Sequence, residues 1–151
     1  MSAAKLVEER PAQQQAREWL QRLKAGGYRL TAARRAVVET LAGESKALTP
    51  AQIYELGRQR HARLGLVTVY RTLEKLEELG LVQSVHLRDG SHGYLAEFRG
   101  HQHLLFCMNC GRVQYFEGDD LSAMVETLEG ESGYEIAEHW LQFSGLCADC
   151  Q

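Results

Sequence analysis

Hydrophobic residues in the first half of the chain recur at the spacing that places them on one face of an α-helix. Four such stretches predict helices over residues 13–24, over residues 32–41, from Pro50 onward, and from about residue 67 to residue 79. The predicted core positions are Trp19, Leu20, Leu23, Ala36, Val37, Leu41, Ile53, Tyr54, Leu56, Val69, Leu73, Leu76 and Leu79.

Glycine and capping residues mark where these helices begin and end. Gly26 and Gly27 follow the first stretch, and glycine ends a helix readily because it tolerates a left-handed backbone. Thr31 precedes the second stretch and Thr49 the third, where a hydroxyl accepts a hydrogen bond from a free backbone amide. Pro50 suits the first helical position. The first half is therefore predicted to be mainly helical.

The fourth predicted helix carries a second face, directed away from its leucines. Thr68, Arg71 and Lys75 are spaced to share that face, and Tyr70 lies beside them near the amino end. A hydroxyl, a basic side chain and an aromatic ring at the start of a second helix are typical of a helix-turn-helix that enters the major groove of DNA. A solvated face that carries one arginine is the alternative.

The pattern changes after Gly80, where apolar and polar residues begin to alternate. Residues 81–87 and 94–98 flank a turn signal at Asp89–Gly90, which predicts a β-hairpin. A hairpin placed directly after a recognition helix is a wing. Residues 11–98 are therefore predicted to form a winged-helix domain, preceded by a flexible N-terminus at residues 1–10.

Residues 99–151 are predicted to form a second domain of mixed structure. Strands are expected over residues 104–107 and 112–116, a helix over residues 119–128 and a last strand over residues 135–143. The predicted fold class is α+β, with an N-terminal winged helix-turn-helix followed by a C-terminal α/β domain.

The net charge of −3 conceals an uneven distribution between the two halves. Residues 1–85 hold 14 Lys and Arg against 9 Asp and Glu, which gives +5. Residues 86–151 hold 3 against 11, which gives −8. A basic first half suits nucleic-acid phosphates, and an acidic second half suits a cation.

The four cysteines form two Cys-x-x-Cys pairs, Cys107 with Cys110 and Cys147 with Cys150. Two such pairs are a common ligand set of a closed tetrahedral zinc site, so the spacing predicts a structural zinc ion. Two disulfides and a catalytic dithiol are the alternatives. Neither a secretion signal nor a membrane-spanning stretch is recognisable, so we expect a cytoplasmic protein whose thiols stay reduced.

Several segments occur in one order along the chain: residues 27–31 (GYRLT) with Arg34, 66–73 (LVTVYRTL), 80–82 (GLV), 101–103 (HQH), 107–113 (CMNCGRV), 133–134 (GY) with His139, and 145–150 (GLCADC). Together they resemble the ferric uptake regulator (Fur) family of bacterial metalloregulators. The resemblance implies a C-terminal dimerisation domain with a structural zinc ion. It also implies a regulatory divalent cation at the domain junction.

The resemblance further implies a homodimer that represses transcription from double-stranded DNA operators when metal is bound. It gives residues 68–73 the role of recognition helix, with Thr68, Tyr70 and Arg71 as base or phosphate contacts. Arg34 and Lys75 are expected to contact phosphates. Neither a membrane nor a small-molecule substrate is implied.

The histidines supply the candidate ligands of the regulatory cation. His86 lies on the first strand of the hairpin and Glu97 on the second, where we expect them to approach each other across it. His101 and His103 alternate along the start of a strand and so point to one side. By their positions in the family, these four residues suit a site at the hinge between the domains.

His139 suits a second, neighbouring site together with His101 and His103, because the family joins this position to the histidine pair. The two sites cannot both own the same imidazoles, and the division between them stays open. Nearby carboxylates that could complete either site are Glu117, Asp119 and Asp120.

Some positions depart from the family pattern at places where other members carry metal ligands. They are Gly100, Leu104, Tyr115, Ser122 and Leu95, for the last of which Glu97 is an offset substitute. A peroxide sensor of the family would need an aspartate near Tyr115, and that aspartate is absent. A small imidazole-rich set with one carboxylate suits tetrahedral zinc, whereas ferrous iron prefers more oxygen ligands.

We therefore expect a member close to the zinc uptake regulators, that is, a zinc-responsive repressor of palindromic promoter operators. An iron-responsive repressor is the first alternative, and a degraded regulatory site is the second. A protein of a different class, a zinc-dependent hydrolase with His101, His103 and His139 around an open metal position, is a further alternative. No nucleophile motif of the Gly-x-Ser-x-Gly kind occurs, and we do not expect an enzyme.

Overall fold

The computed structural model describes residues 5–6, 11–87, 89–97, 102–118, 120–139 and 141–151. Most of the predicted flexible N-terminus lies outside this part, as do His101 and Asp119 among the candidate ligands. The elements in chain order are β1 (Lys5–Leu6), α1 (Ala12–Ala25), α2 (Ala32–Ala42), α3 (Pro50–Arg60), α4 (Leu66–Glu78), β2 (Val82–His86), β3 (His92–Ala96), β4 (His103–Cys107), β5 (Val113–Glu117), α5 (Ser122–Ser132) and β6 (Gln142–Gly145). A short 3₁₀ turn follows at Ala148–Cys150.

All four predicted helices of the first half are confirmed, and two begin at the threonines that the sequence suggests. The Thr31 hydroxyl accepts a hydrogen bond from the Arg34 amide (3.2 Å), which fixes the start of α2. Thr49 and Gln52 form a reciprocal capping box at the start of α3. The apolar faces of α1–α4 then meet in one core. Its most deeply buried side chains are Leu23, Val37, Val38, Leu41, Ile53, Val69, Leu73 and Leu76.

Strands β2 and β3 form the predicted hairpin, which we call the wing (residues 82–96). Side chains on a strand point alternately to its two faces. On one face of the wing, Val82 and Ala96 pack against the helical core. On the other, Val85 and Leu95 belong to a second apolar cluster. The wing is therefore packed between the helices and the sheet, whose contributions to that cluster include Leu104, Phe106 and Val113.

The second half contains a four-stranded sheet in the order β1-β5-β4-β6. Strand β5 runs antiparallel to β4, whereas β6 runs parallel to it. The predicted strands at residues 104–107 and 112–116 are confirmed to within one residue. Strand β1 pairs with the outer edge of β5, so the start of the chain contacts its second half.

The predicted last strand over residues 135–143 is wrong in its first part. Strand β6 begins at Gln142, and residues 133–139 form no helix or strand. The cause is a competing partner, because the Ile136 amide donates to a carboxylate oxygen of Glu129 on α5 rather than to a neighbouring strand (2.7 Å). Helix α5 itself continues four residues beyond its predicted end, to Ser132, and Gly133 stops it with a φ of 73°.

Helix α5 has no buried residue in the isolated chain. Met124 and Leu128 on it are each about half exposed. An exposed helix with large apolar side chains is typical of a surface that another protein covers. In the segments that the structure describes, every helix is too short or too polar to cross a lipid bilayer.

Candidate metal centres and nucleic-acid interface

The four cysteines meet at one end of the sheet. Cys107 is the last residue of β4 and is buried, and Cys110 lies in the turn after it. Cys147 directly precedes the 3₁₀ turn that follows β6, the strand parallel to β4, and Cys150 is the last residue of that turn. The four sulfurs all lie within 4.8 Å of one another. The convergence expected from the cysteine spacing is therefore observed, and we call this group the four-cysteine cluster.

The geometry of the four-cysteine cluster fits a structural metal ion. The sulfurs of Cys110 and Cys147 are 3.7 Å apart. Tetrahedral zinc with metal–sulfur bonds of about 2.3 Å separates its ligand sulfurs by about 3.8 Å. All four cysteines are free, which does not favour the disulfide alternative. Zinc bound there would supply folding free energy by crosslinking both ends of the second half.

The environment of the cluster distinguishes its thiols. The amides of Cys110 and Cys147 hydrogen-bond to the Cys107 sulfur and lower its pKa to about 6. Partial burial and hydrogen bonds to the neighbouring sulfurs raise the pKa of Cys147 to about 12. Of these two thiols, Cys107 therefore has the lower pKa and loses its proton first. An ion pair between Arg112 and Asp149 (2.6 Å) joins the two loops that carry the cysteines.

Two of the predicted regulatory histidines lie side by side. The rings of His103 and His139 are stacked, with their centroids 5.4 Å apart. His103 begins β4 and is almost completely buried, with Phe116 on the neighbouring strand contacting its ring. Its Nδ1 atom accepts a hydrogen bond from the Leu141 amide (3.3 Å). His101 lies two positions earlier in the chain and outside the described residues.

The hydrogen bond from Leu141 bears on how His103 can hold a cation. A neutral imidazole that accepts at Nδ1 carries its proton on Nε2, so neither nitrogen presents an open lone pair to a metal. A bound cation therefore requires the other tautomer or a turned ring, and the Leu141 bond is lost in both cases. His103 and His139 fit an imidazole-preferring cation with that local adjustment.

The expectation that His86 and Glu97 approach each other across the hairpin is wrong. The register places His86 opposite His92, whereas the Glu97 amide donates to the carbonyl of Leu81 at the other end of the wing. Five positions along a strand correspond to about 17 Å. The turn is centred on Asp89, and this centre fixes which residues face each other.

The remaining candidate ligands are dispersed. Within the described ranges, the four-cysteine cluster is the only group of three or more His, Cys, Asp or Glu residues close enough to hold one ion. Burial raises the pKa of Glu97 above its ordinary value. Glu117 ends β5 and is exposed, and Asp120 accepts hydrogen bonds from Ser122. The structure thus brings together His103 and His139 but does not gather His86, Glu97 and these carboxylates around them.

The predicted recognition face occupies the amino end of α4. Tyr70 is about half exposed, Arg71 is exposed, and Thr68 beside them is partly buried. Gly65 precedes the helix and offers no side chain to cap it, so its first amides are available to a ligand. A helix amino end that exposes an aromatic and a basic side chain, here Tyr70 and Arg71, suits the major groove of DNA.

Two of the expected phosphate contacts have partners within the chain. Lys75 forms an ion pair with Glu78 (2.7 Å), which in turn accepts a hydrogen bond from the Tyr28 hydroxyl. Arg34 donates from its guanidinium to the carbonyl of Arg29. These contacts make both side chains less available to DNA than Arg71.

Leu66 and Val67 lie on the surface at the start of α4, which the hydrophobic pattern of the sequence does not predict. They are 42% and 63% exposed at the first turn of α4, although both are apolar. Apolar side chains in this place can contact thymine methyl groups. Their exposure could have been predicted from their position instead, because both residues come before Val69, the first residue of the buried stripe of α4.

Comparisons with known proteins agree with this arrangement. The ferric uptake regulator family pattern matches residues 25–144. The ferric uptake regulation protein of Bacillus subtilis is 37% identical over 133 residues, which cover 85% of this chain and 89% of that protein.

Among solved structures, the Helicobacter pylori ferric uptake regulator Fur aligns with a TM-score of 0.69 at 18% identity, over 95% of this chain and 96% of that chain. A zinc uptake regulator complexed with zinc and DNA aligns with a TM-score of 0.66 at 21% identity, over 93% and 95%. These two likenesses concern the fold, whereas the family match covers most of the chain and gives the hydrolase alternative no support. The chain therefore belongs to the ferric uptake regulator family of metal-responsive transcriptional regulators.

Proposed function

We propose that this protein is a zinc-responsive repressor that binds palindromic promoter operators as a homodimer in the cytoplasm. The observation that carries the proposal is the stacked pair of His103 and His139, with His101 two positions earlier in the chain. Three imidazoles with few carboxylates suit tetrahedral zinc better than ferrous iron. The regulatory cation is then Zn²⁺, in addition to a structural Zn²⁺ in the four-cysteine cluster.

Within the part of the chain that the structure describes, no carboxylate lies beside both His103 and His139, so in this proposal the hinge between the two proposed domains, residues 11–98 and 99–151, brings the remaining ligand to them when the cation binds. Glu97 ends the first domain, and its half-buried carboxyl has a raised pKa that a nearby cation would lower again. A cation held by Glu97 and the histidines therefore ties the wing to the sheet. His86 lies at the far end of the wing and is not part of this set.

The cation acts by selecting one relative pose of the two domains. A cation that binds one pose more tightly than the others by about 5.5 kcal/mol changes the ratio of that pose to the others from 1:99 to 99:1. In the selected pose the two recognition helices of a dimer match successive major grooves. Thr68, Tyr70 and Arg71 contact the operator there, and Arg34 and Lys75 contribute weaker phosphate contacts because of their internal partners.

The homodimer is supported by the surface of the second half. Strand β6 is an edge strand of the sheet, and edge strands pair readily with a second chain. Apolar side chains are exposed around it and on α5. They are Met124, Leu128, Tyr134, Phe143 and Leu146. A second copy that covers them removes this surface from water and satisfies the free strand edge.

An iron-responsive repressor is the second candidate. It is favoured by the relatives, since the similar protein of Bacillus subtilis is a ferric uptake regulation protein. Against it, the proposed ligands are three imidazoles with a single carboxylate, whereas ferrous iron prefers more oxygen ligands. The two candidates differ in the cation that closes the dimer on DNA.

The deciding experiment titrates Zn²⁺ and Fe²⁺ separately, without oxygen, into protein from which only the regulatory cation has been removed by a chelator. Binding to a fragment of its own promoter is followed by fluorescence anisotropy. We expect operator binding to appear with Zn²⁺ at concentrations well below those of Fe²⁺. Equal or better activation by Fe²⁺ supports the iron candidate instead.

A further inference from the structure

Two imidazoles meet at the tip of the wing, apart from every site described above. His86 and His92 are directly opposed in the hairpin register, with ring centroids 4.4 Å apart and an interplanar angle of 55°. Both side chains are exposed. The adjacent pair, Leu87 and Ser91, carries the hydrogen bond that closes the turn. His86 and His92 are therefore a non-hydrogen-bonded pair, the kind whose side chains stand closest together.

The packed backbone of the hairpin fixes the position of these two histidines. Val85 and Gly93, the next pair along the ladder, are buried, so the backbone that carries the imidazoles is fixed by packing. Neutral imidazole is a frequent ligand of transition-metal cations, and two rings on adjacent strands converge on one ion. Asp89 in the same turn accepts hydrogen bonds from Ser91 at one of its carboxylate oxygens. The coordination positions that the two imidazoles leave open would be filled by water.

The pair also lies on the side of the wing that faces the recognition helix. His92 and Tyr94 are two positions apart on β3 and share a face. Burial raises the pKa of Tyr94, and the nearby charges of Glu77 and Tyr70 on α4 raise it further. Tyr94 packs against the helical core to which α4 contributes, so His86 and His92 lie on the face of the wing that is turned towards the helices.

We propose that His86 and His92 form an additional binding site for an imidazole-preferring divalent cation, such as Zn²⁺, Ni²⁺ or Cu²⁺, at the tip of the wing. With two protein ligands it is weaker than the four-cysteine cluster and the proposed regulatory site. The cation adds two positive charges to the tip of the wing, where they would attract the backbone phosphates of DNA bound at α4. This effect on DNA rests on the proposed function, whereas cation binding itself does not.

Cation binding is tested without DNA, on the full chain with its structural metal retained. Ni²⁺ is titrated by calorimetry into wild-type protein, His92→Ala, His86→Ala and, as a matched control, His61→Ala, which removes a histidine at the end of α3. We expect one weak Ni²⁺ equivalent to lose affinity about tenfold or more in both wing variants, the scale seen when support for a metal ligand is removed. The control should keep it. Unchanged binding in either wing variant overturns the proposal.

A second measurement uses the unmodified chain. Substoichiometric Cu²⁺ broadens nuclear resonances near the ion, and we expect the ring signals of His86 and His92 to broaden together, before those of His61. Broadening of only one of the two, or of neither, overturns the shared site.

The effect of the wing cation on DNA binding is tested in a separate experiment. With the regulatory site saturated by Zn²⁺, extra Ni²⁺ should tighten operator binding of the wild type but not of His92→Ala. If wild-type protein binds no operator under any condition while Ni²⁺ still binds the wing, the proposed function fails and the wing site stands. Operator binding that Ni²⁺ tightens equally in both proteins contradicts the wing's part in DNA binding.

Discussion

The backbone amide of Val113 on β5 donates a hydrogen bond to the carbonyl of Ser45, which lies between α2 and α3 (3.0 Å). The Ala47 amide donates in turn to the carbonyl of Gly111, in the turn that carries Cys110 (3.0 Å). One residue further on, Leu48 exchanges two hydrogen bonds with Tyr94 of the wing. The segment from Ser45 to Leu48 therefore connects the four-cysteine cluster to the wing and to the start of α3.

The first prediction concerns this connection. Cys107→Ser should lose the structural zinc and unfold the second half, because metal binding there contributes on the order of 10 kcal/mol to folding. Because the turn is bonded to Ala47, the wing should also lose protection against amide hydrogen exchange. Met108→Ala changes an exposed neighbour in the same turn and is the control. Metal content and exchange that match the wild type would show that the cluster has no structural role.

The second prediction separates two basic residues of α4. Arg71→Ala should weaken operator binding by about 1–3 kcal/mol, roughly 5- to 150-fold, because this exposed guanidinium is proposed to contact DNA directly. Lys75→Ala should cost less, since Glu78 already pairs with the ammonium group. Anisotropy titrations at several salt concentrations measure both. A larger loss for Lys75→Ala than for Arg71→Ala contradicts the assigned contacts.

The third prediction follows from the raised pKa of Glu97. The folded protein holds the Glu97 proton more tightly than the unfolded chain, so the stability contributed by the protonated form is present below the ordinary pKa. It is lost as the pH rises through the folded pKa. Glu97→Gln, which cannot ionise, should therefore raise the Tm relative to wild type at about pH 7.5, and the difference should shrink towards about pH 5.

Calorimetric scans without added regulatory cation test this, with Glu126→Gln on α5 as control. A Glu97→Gln variant that is less stable than wild type at the higher pH would show that the carboxylate is held by a favourable partner. Saturating Zn²⁺ should reverse the order if Glu97 is a ligand, since the wild type then gains a bond that the amide cannot replace.

The fourth prediction addresses the homodimer. Leu128→Glu places a charge on the exposed apolar face of α5, and a charge in a buried interface is costly. We expect a folded monomer by analytical ultracentrifugation, with the circular dichroism of the wild type. Leu66→Glu, at a similarly exposed apolar position of α4, should leave the dimer intact. If the Leu128→Glu variant remains a dimer, α5 is not part of the dimer interface.

How far the sequence predicts this molecule depends on whether a feature is local. The caps at Thr31 and Thr49 and the leucine stripe of α4 are local, and the structure confirms them. The Cys-x-x-Cys spacing is equally direct, because two residues suffice to aim both sulfurs of a pair at one ion.

The failures involve partners that are distant in the sequence. Residues 135–139 were expected in a strand, but Glu129 draws the amide of Ile136 towards α5. The turn signal at Asp89–Gly90 is correct to within one residue, but a hairpin centred on Asp89 pairs His86 with His92 and leaves Glu97 five positions further along the strand. The bond between Val113 and Ser45 had no sequence signal, since both residues are ordinary members of their segments.

The central claim is that a cation held by His103 and His139 controls how tightly the protein binds DNA. The most direct test compares wild-type protein with His103→Ala and His139→Ala, each with its structural zinc intact, in operator binding with and without added Zn²⁺. We predict that Zn²⁺ strengthens binding of the wild type by a large factor and leaves both variants at the level of the cation-free protein. Equal binding by the wild type with and without the regulatory cation, or a full Zn²⁺ response in both variants, would contradict the account.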